Sequence, residues 1–176
     1  MFIENEKYQD DVPAVRDALM SPRRLSRLLF GAEADAQLPT PAPVTMRVER
    51  AWRDYQGGRL GSVIAALPGL LRTAQELEDR AVRGEEDRLE CWAVSARVHH
   101  LAATTLSRIG ESDISWLAAE RAMHAADGSD DPLVLASAAC SGTHALLANG
   151  RYEAAMELGD TTTRWLSARV AHPRCS

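Results

Sequence analysis

The sequence predicts an all-α protein built from antiparallel helix pairs, and three observations support this fold class. Alanine and leucine are abundant while aromatic residues make up only 5% of the chain, a composition that favours helix. From Val44 onward, apolar residues recur at the i, i+3, i+4, i+7 spacing of an amphipathic helix. Gly58, Gly110 and Gly150 separate such segments, and glycine readily adopts the left-handed conformation that ends a helix sharply.

An N-terminal arm of two short helices is predicted for residues 1–31. Asp11 and Pro13 provide the first helix start, because aspartate is a favoured cap residue and proline is tolerated in the first turn. Ser21, followed by a proline, is a second start of the same kind, and Gly31 ends the helix that it opens. We expect the arm to dock on the body of the protein or on a partner.

A linker is predicted for residues 32–43, because the prolines in its second half are incompatible with regular structure. The main helical domain is predicted to span residues 44–171, followed by a loose tail at 172–176. Pro68 lies inside its second helix and is expected to kink that helix. Six main helices are predicted, at about 44–57, 60–80, 86–109, 112–128, 132–149 and 151–168.

Composition and charge indicate a cytoplasmic protein without affinity of its own for nucleic acid or membranes. The net charge of −5 disfavours attraction to phosphate backbones. No apolar run approaches the roughly 20 residues needed to cross a bilayer, and the N-terminus is too polar for a signal peptide. The three cysteines form no Cys-x-x-Cys motif and are most simply free thiols.

The turn glycines also indicate a repeat. They stand 52 and 40 residues apart, and each follows a small residue seven positions earlier, namely Ala51, Ala103 and Thr143. In residues 145–158 a glycine is followed by tyrosine two residues on and alanine three further on, as in the middle of a tetratricopeptide repeat. The predicted fold is therefore a tetratricopeptide-like stack, with repeats longer than the usual period of about 34 residues. A generic helical bundle is the alternative.

Several segments together carry a family resemblance: residues 11–19, 51–60, 66–71, 113–122, 131–135 and 144–152. They resemble the C-terminal region of Cro/repressor-type (xenobiotic-response-element) helix-turn-helix transcriptional regulators of GC-rich bacteria. The resemblance implies a tetratricopeptide-like region that is coupled to a DNA-binding domain in the full regulator. No helix-turn-helix precedes Asp11 here, so the chain is expected to be a fragment of a longer regulator or a stand-alone sensor half.

Catalytic and metal-binding patterns are not recognisable in the sequence. His99 and His100 are adjacent and point about 100° apart on a helix, so they are poorly placed to bind one ion together. The chain has no His-Glu-x-x-His motif, no glycine-rich phosphate loop and no Gly-x-Ser-x-Gly elbow. We expect no enzymatic activity, no metal and no cofactor; a helical enzyme without a recognisable motif is the remaining possibility.

The candidate site is a groove, because the first helix of each tetratricopeptide unit lines the concave face where ligands bind. Counting back from the turn glycines assigns residues to that face. Trp52 and Tyr55 would provide apolar contact, while Arg97, His100 and His144 would meet a carboxylate or another polar group. Core packing of the two aromatic residues and simple solvation of the others stay open as alternatives. The predicted groove residues are Trp52, Tyr55, Arg97, His100, Thr104, Cys140 and His144.

The expected function is that of a non-catalytic sensing or oligomerisation module of a bacterial transcriptional regulator. A peptide, small molecule or partner protein would bind in the groove and shift the arrangement of an attached or partner DNA-binding domain. DNA would be reached only through that separate domain, and a homo-oligomer is expected. The alternative is a stand-alone protein–protein interaction scaffold without a small ligand.

Overall fold

The computed structural model describes residues 11–22, 29, 38–84 and 86–171, except for the side chains of residues 170 and 171. These residues form helices and no strand, and the all-α prediction is confirmed. The helices are α1 (Val12–Leu19), α2 (Pro41–Gln56), α3 (Leu60–Val82), α4 (Arg88–Arg108), α5 (Ser112–Ser129), α6 (Pro132–Ala148) and α7 (Tyr152–Ala171).

The helices pack in two layers. From α2 to α7, each helix packs against the next one in the chain. In addition, α2 packs against α4 and α4 packs against α6, which places these three helices side by side in one layer. In the other layer, α1 packs against both α3 and α5. Successive helix pairs are therefore stacked as in a helical-repeat protein, as the sequence predicts.

The three turn glycines adopt the left-handed conformation that the sequence predicts. Their φ angles are +75° at Gly58, +87° at Gly110 and +69° at Gly150. A Cβ atom at any of these positions would meet nothing within 4 Å, so conformation and not space is what requires glycine there. Each turn reverses the chain in three residues, which brings consecutive helices together as neighbours.

The end of α5 differs from the prediction that Gly128 closes this helix. The helix continues to Ser129, and Asp130 takes the left-handed conformation with φ of 54°. A Cβ atom at position 128 would lie 2.8 Å from the indole of Trp92, so close packing against α4 requires glycine at this position. The prediction was wrong because aspartate, like asparagine, also tolerates the left-handed conformation.

The prediction of a linker over residues 32–43 was wrong for residues 41–43, which belong to a helix. Helix α2 begins at Pro41, after Thr40 in an extended conformation, and includes Pro43. Proline is compatible with the first turn of a helix, where the backbone N–H has no intrahelical partner to lose. Residues 32–37 lie outside the described residues. At the other end, α7 extends to Ala171, three residues beyond the predicted end of the last helix.

Helix α3 runs unbroken from Leu60 to Val82 with Pro68 inside it. The predicted kink at this proline stays a prediction. Leu67 and Leu71, on either side of it, are completely buried in the main core, to which α1 to α6 contribute. Packing of this face stabilises the helix against the loss of the hydrogen bond that proline cannot donate.

The first helix of the predicted arm docks on the body of the protein. Val15 and Leu19 of α1 are completely buried in the main core. The guanidinium of Arg16 binds the turn between α4 and α5, with Nη2 3.0 Å from Glu111 Oε2 and Nη1 2.7 Å from Asp113 Oδ2. The hydrogen bond from Arg16 lowers the pKa of Asp113. Most of the second predicted arm helix and the tail at 172–176 lie outside the described residues.

The core also contains a polar cluster formed by α3 and α4. Ser95 Oγ donates to Glu78 Oε1 at 2.6 Å, and His99 Nε2 lies 3.2 Å from the same oxygen. His99 is 0% exposed, as is Ser95. A buried carboxylate is costly unless it is hydrogen-bonded, so these contacts fix the pairing of the two helices.

Candidate functional site

A groove crosses the layer formed by α2, α4 and α6 and encloses a cavity of about 820 Å³. These are the first helices of the three predicted pairs, so the groove lies on the layer where the sequence predicts it. Its lining residues are Glu49, Trp52, Arg53 and Gln56 from α2, Ala96, Arg97 and His100 from α4, and Leu133, Val134 and Ser137 from α6.

Aromatic rings form the boundary between the groove and the core. The ring of Trp52 packs edge-on against His100, with centroids 4.9 Å apart and planes inclined by 65°. On its other side, Trp52 meets Tyr55 at 5.6 Å in a similar arrangement. The indole is half-buried and packs against the main core, so it belongs to both environments. Such edge-to-face contacts hold the ring in place before any ligand arrives.

His100 contributes hydrogen-bonding capacity and no charge at neutral pH. Burial, and to a lesser extent the nearby His144, lower its pKa to about 4. Removal from water disfavours the charged imidazolium, and a second histidine adds repulsion. A neutral imidazole offers one N–H donor and one acceptor nitrogen, so His100 suits a polar uncharged group or a carboxylate that accepts a hydrogen bond.

The charges of the groove come from Glu49, Arg53 and Arg97. Arg97 Nη2 lies 3.7 Å from Glu49 Oε1, with the two side chains 40% and 55% exposed, which makes this a weak ion pair. The side chain of Arg53 makes no hydrogen bond or ion pair within the described part of the chain. Two guanidinium groups therefore remain accessible to a ligand, beside the apolar side chains of Leu133 and Val134.

No protein-family model, curated protein or solved structure matches the chain. The resemblance to Cro/repressor-type regulators stays a prediction.

Three predicted site residues, Trp52, Arg97 and His100, line the groove together. Tyr55 does not line it; its ring packs against Trp52 and lies 5.3 Å below the guanidinium carbon of Arg108. Thr104 is half-buried on α4, outside the lining, and its Oγ1 is buried without a hydrogen-bond partner in the described residues.

The other two predicted residues, Cys140 and His144, are exposed on α6 and do not line the groove. His144 is close enough to His100 to affect its pKa, so it lies near the cavity. Their assignment to the lining depended on counting back from Gly150, but α6 lines the groove with its first two turns, where Leu133, Val134 and Ser137 lie.

Sequence reasoning missed the polar residues of α2 that line the groove. Glu49 and Gln56 stand three residues before and four residues after Trp52, a spacing that places them on the same helix face. This periodic signal was available in the sequence. Leu133 carries no comparable signal, although its side chain is 75% exposed, because a leucine near a helix start usually belongs to the core.

A second cavity, of about 810 Å³, lies between α5, α6 and α7. Trp116 lines it and is 43% exposed, and Leu146 and Leu158 provide further apolar surface. The charged side chains of Asp113, Arg151 and Glu157 stand around these residues. The sequence did not predict this surface.

The thiols and acidic residues form no further centre among the described residues. Cys91 is buried, and desolvation followed by the nearby Asp87 raises its pKa to about 12, so its thiol stays protonated and unreactive at neutral pH.

No group of three or more histidine, cysteine or acidic residues is arranged for a metal ion within the described ranges. Among the same residues, no helix combines the length and apolarity that a membrane crossing requires.

Proposed function

We propose that the chain is a non-catalytic sensing or oligomerisation module of a bacterial transcriptional regulator, with the α2–α4–α6 groove as its binding surface. One observation carries the proposal: Trp52, Arg97 and His100, from distant parts of the sequence, line a single cavity of about 820 Å³. Ligand sites in proteins are commonly concave, with an apolar surface and a few oriented polar groups, and this groove has both.

The chemistry of the lining favours a ligand with an apolar part and an anionic or hydrogen-bonding part. The apolar part would pack on Trp52 and on Leu133 of α6. Arg97 would form charge-assisted hydrogen bonds with a carboxylate, which are about twice as strong as neutral ones. His100 would add a hydrogen bond as a neutral ring. A peptide, a small acid or a segment of a partner protein meets these requirements.

Signalling would follow from the way the ligand spans the layer. A molecule in contact with α2, α4 and α6 at once stabilises one relative packing of these helices, and that shifts the equilibrium between arrangements of the stack. An attached or partner DNA-binding domain would respond to that shift, which requires a cytoplasmic location. DNA would be bound only by that separate domain.

The alternative is a stand-alone protein–protein interaction scaffold. The cavity around Trp116 favours this function, because a half-exposed tryptophan beside apolar and charged groups is typical of protein contact surfaces. A scaffold of this kind would bind partners through α5 and α7 as well as through the groove, and it would not require a small ligand.

The test is selection of peptides from a random displayed library on the immobilised full chain, followed by measurement of each peptide's dissociation constant by fluorescence polarisation. Arg97→Gln is expected to weaken a groove-bound peptide about tenfold through loss of a charge-assisted hydrogen bond. Arg151→Gln is the matched control, since Arg151 lines the cavity around Trp116. Peptides that lose affinity only in the Arg151 variant would contradict the proposal and favour the scaffold.

A further inference from the structure

A basic pocket of about 600 Å³ lies next to the groove and shares Arg53 with it. Arg47, Arg50 and Arg53 follow one another at three-residue intervals on α2, and Arg59 joins them from the start of α3. The three helix positions span about 9 Å along the helix axis. We call this cavity, with Asp54 as its acidic residue, the arginine pocket.

The positive charge of the arginine pocket is only partly compensated within the protein. Asp54 Oδ1 binds Arg59 at 2.6 Å from Nη2 and 3.0 Å from Nε, so its charge is already engaged. Arg47 Nη1 donates to the hydroxyl of Thr73 at 3.4 Å, which supplies no charge. The side chains of Arg50 and Arg53 make neither a hydrogen bond nor an ion pair with any described residue.

This arrangement is unusual in a chain with a net charge of −5, because four arginines here face one acidic residue. Like charges spaced by one helical turn repel and destabilise the helix. On α2 itself, three arginines stand beside only two acidic residues, Glu49 and Asp54, and Asp54 is engaged by Arg59. The stripe therefore keeps an excess of positive charge, which an anionic ligand would compensate.

We propose that the arginine pocket binds the phosphate groups of a compact diphosphate-bearing small molecule. Guanidinium groups bind phosphate through paired hydrogen bonds, and arginine is preferred to lysine where such paired recognition matters. The short span of the cluster limits it to neighbouring phosphates, whereas a protein on duplex nucleic acid typically contacts about 6 to 10. A phosphate ligand of small size fits the pocket better than a nucleic acid backbone does.

The diphosphate site does not depend on what occupies the groove, although the shared Arg53 links the two cavities. A phosphate that binds Arg53 withdraws this side chain from a ligand in the groove, or holds it in one position. The affinities of the two ligands are then coupled, and the coupling is the same in both directions.

The test is titration of the full chain with inorganic pyrophosphate by isothermal calorimetry at low ionic strength. We expect saturable binding at one site, weakened about tenfold in Arg50→Gln and further in the double variant Arg50→Gln/Arg53→Gln. Arg88→Gln is the control, because it removes the same charge from an exposed position at the start of α4. The thermal midpoint of Arg50→Gln should stay close to that of the wild type, because Arg50 is exposed and its side chain makes no hydrogen bond or ion pair with a described residue.

Three results would overturn the proposal. The first is the absence of saturable pyrophosphate binding. The second is an equal loss of affinity in Arg88→Gln, which would assign the effect to net charge alone. The third is tighter binding of a double-stranded DNA of mixed sequence than of pyrophosphate, with a steeper dependence on salt. A failure to find peptides that bind the groove would change neither the pyrophosphate titration nor the DNA titration. The two proposals are therefore tested separately.

Discussion

The two faces of α4 carry similar residues in opposite environments. On one face, Ser95 and His99 are completely buried and share an oxygen of Glu78 from α3. On the other, Arg97 and His100 line the groove and meet Glu49 and Trp52 from α2. His99 and His100 are adjacent in the sequence, so the helix that each one faces decides what it does. Helix α3 supplies an acid in the core, and α2 supplies an aromatic ring beside a cavity.

Removal of the buried acid is expected to have the largest effect. Glu78→Ala leaves Ser95 and His99 without their shared acceptor in the core, and loss of one partner from a buried polar pair destabilises a protein by about 3 kcal/mol. The free energy of unfolding in urea measures this. Glu49→Ala is the matched control on the groove face and should change stability by at most about 0.5 kcal/mol. Equal effects of the two substitutions would mean that the faces of α4 do not differ as described.

The pH dependence of stability distinguishes the histidine of the groove face. Its folded pKa is about 4, below the ordinary value of 6.5, so between these values the unfolded chain binds a proton that the folded chain does not. Stability is therefore present above pH 6.5 and is lost as the pH falls toward 4. Between pH 7 and pH 5 this loss is about 2 kcal/mol for His100 alone.

The variant His100→Asn lacks the pH-dependent stability that His100 contributes, while all other titrating groups are the same in the variant and the wild type. Urea unfolding of the wild type and the variant at pH 7 and pH 5 gives the difference directly. A wild type that loses no more stability on acidification than His100→Asn would show that burial does not keep this ring neutral.

Loss of a single polar contact should destabilise the protein more on the buried face of α4 than on the groove face, but the difference should be smaller than for Glu78. Ser95→Ala removes a 2.6 Å hydrogen bond in the core and is expected to destabilise the protein by about 1 kcal/mol. Arg97→Gln removes a weak, exposed ion pair and should change stability by no more than about 0.5 kcal/mol. Thermal unfolding of both variants makes the comparison. A larger loss in Arg97→Gln would assign this residue to the framework and not to ligand binding.

The fold was predictable because its signals are local. Glycines at Gly58, Gly110 and Gly150 mark the turns by their backbone conformation, and amphipathic spacing marks the helices between them. The start of α2 was missed because proline was interpreted as a helix breaker, although Pro41 occupies a position without a hydrogen-bond requirement. Docking of α1 was left open, since its apolar face alone does not say what covers it.

The site was predictable only in part, because it depends on how each helix is rotated about its own axis. On α2 and α4, counting back from the turn glycine places Trp52 and His100 correctly. Helix α6 is rich in alanine and apolar around most of its circumference, so its sequence does not distinguish one face from another. Cys140 and His144 were assigned to the groove for that reason, and Leu133 was not. The arginine pocket was missed because the three-residue spacing of Arg47, Arg50 and Arg53 on α2 was not considered.

The central claim is that ligands bind the layer formed by α2, α4 and α6, and the tryptophans offer a direct test. Selective labelling of the tryptophan side chains gives separate indole N–H resonances for Trp52 in the groove, Trp92 on the core side, Trp116 in the second cavity and Trp165 on α7. These resonances are assigned by single substitution with phenylalanine. On titration with a library-selected peptide, we predict a large shift of the Trp52 resonance alone. A shift of Trp116 with an unchanged Trp52 would contradict the account and place binding on the other face of the stack.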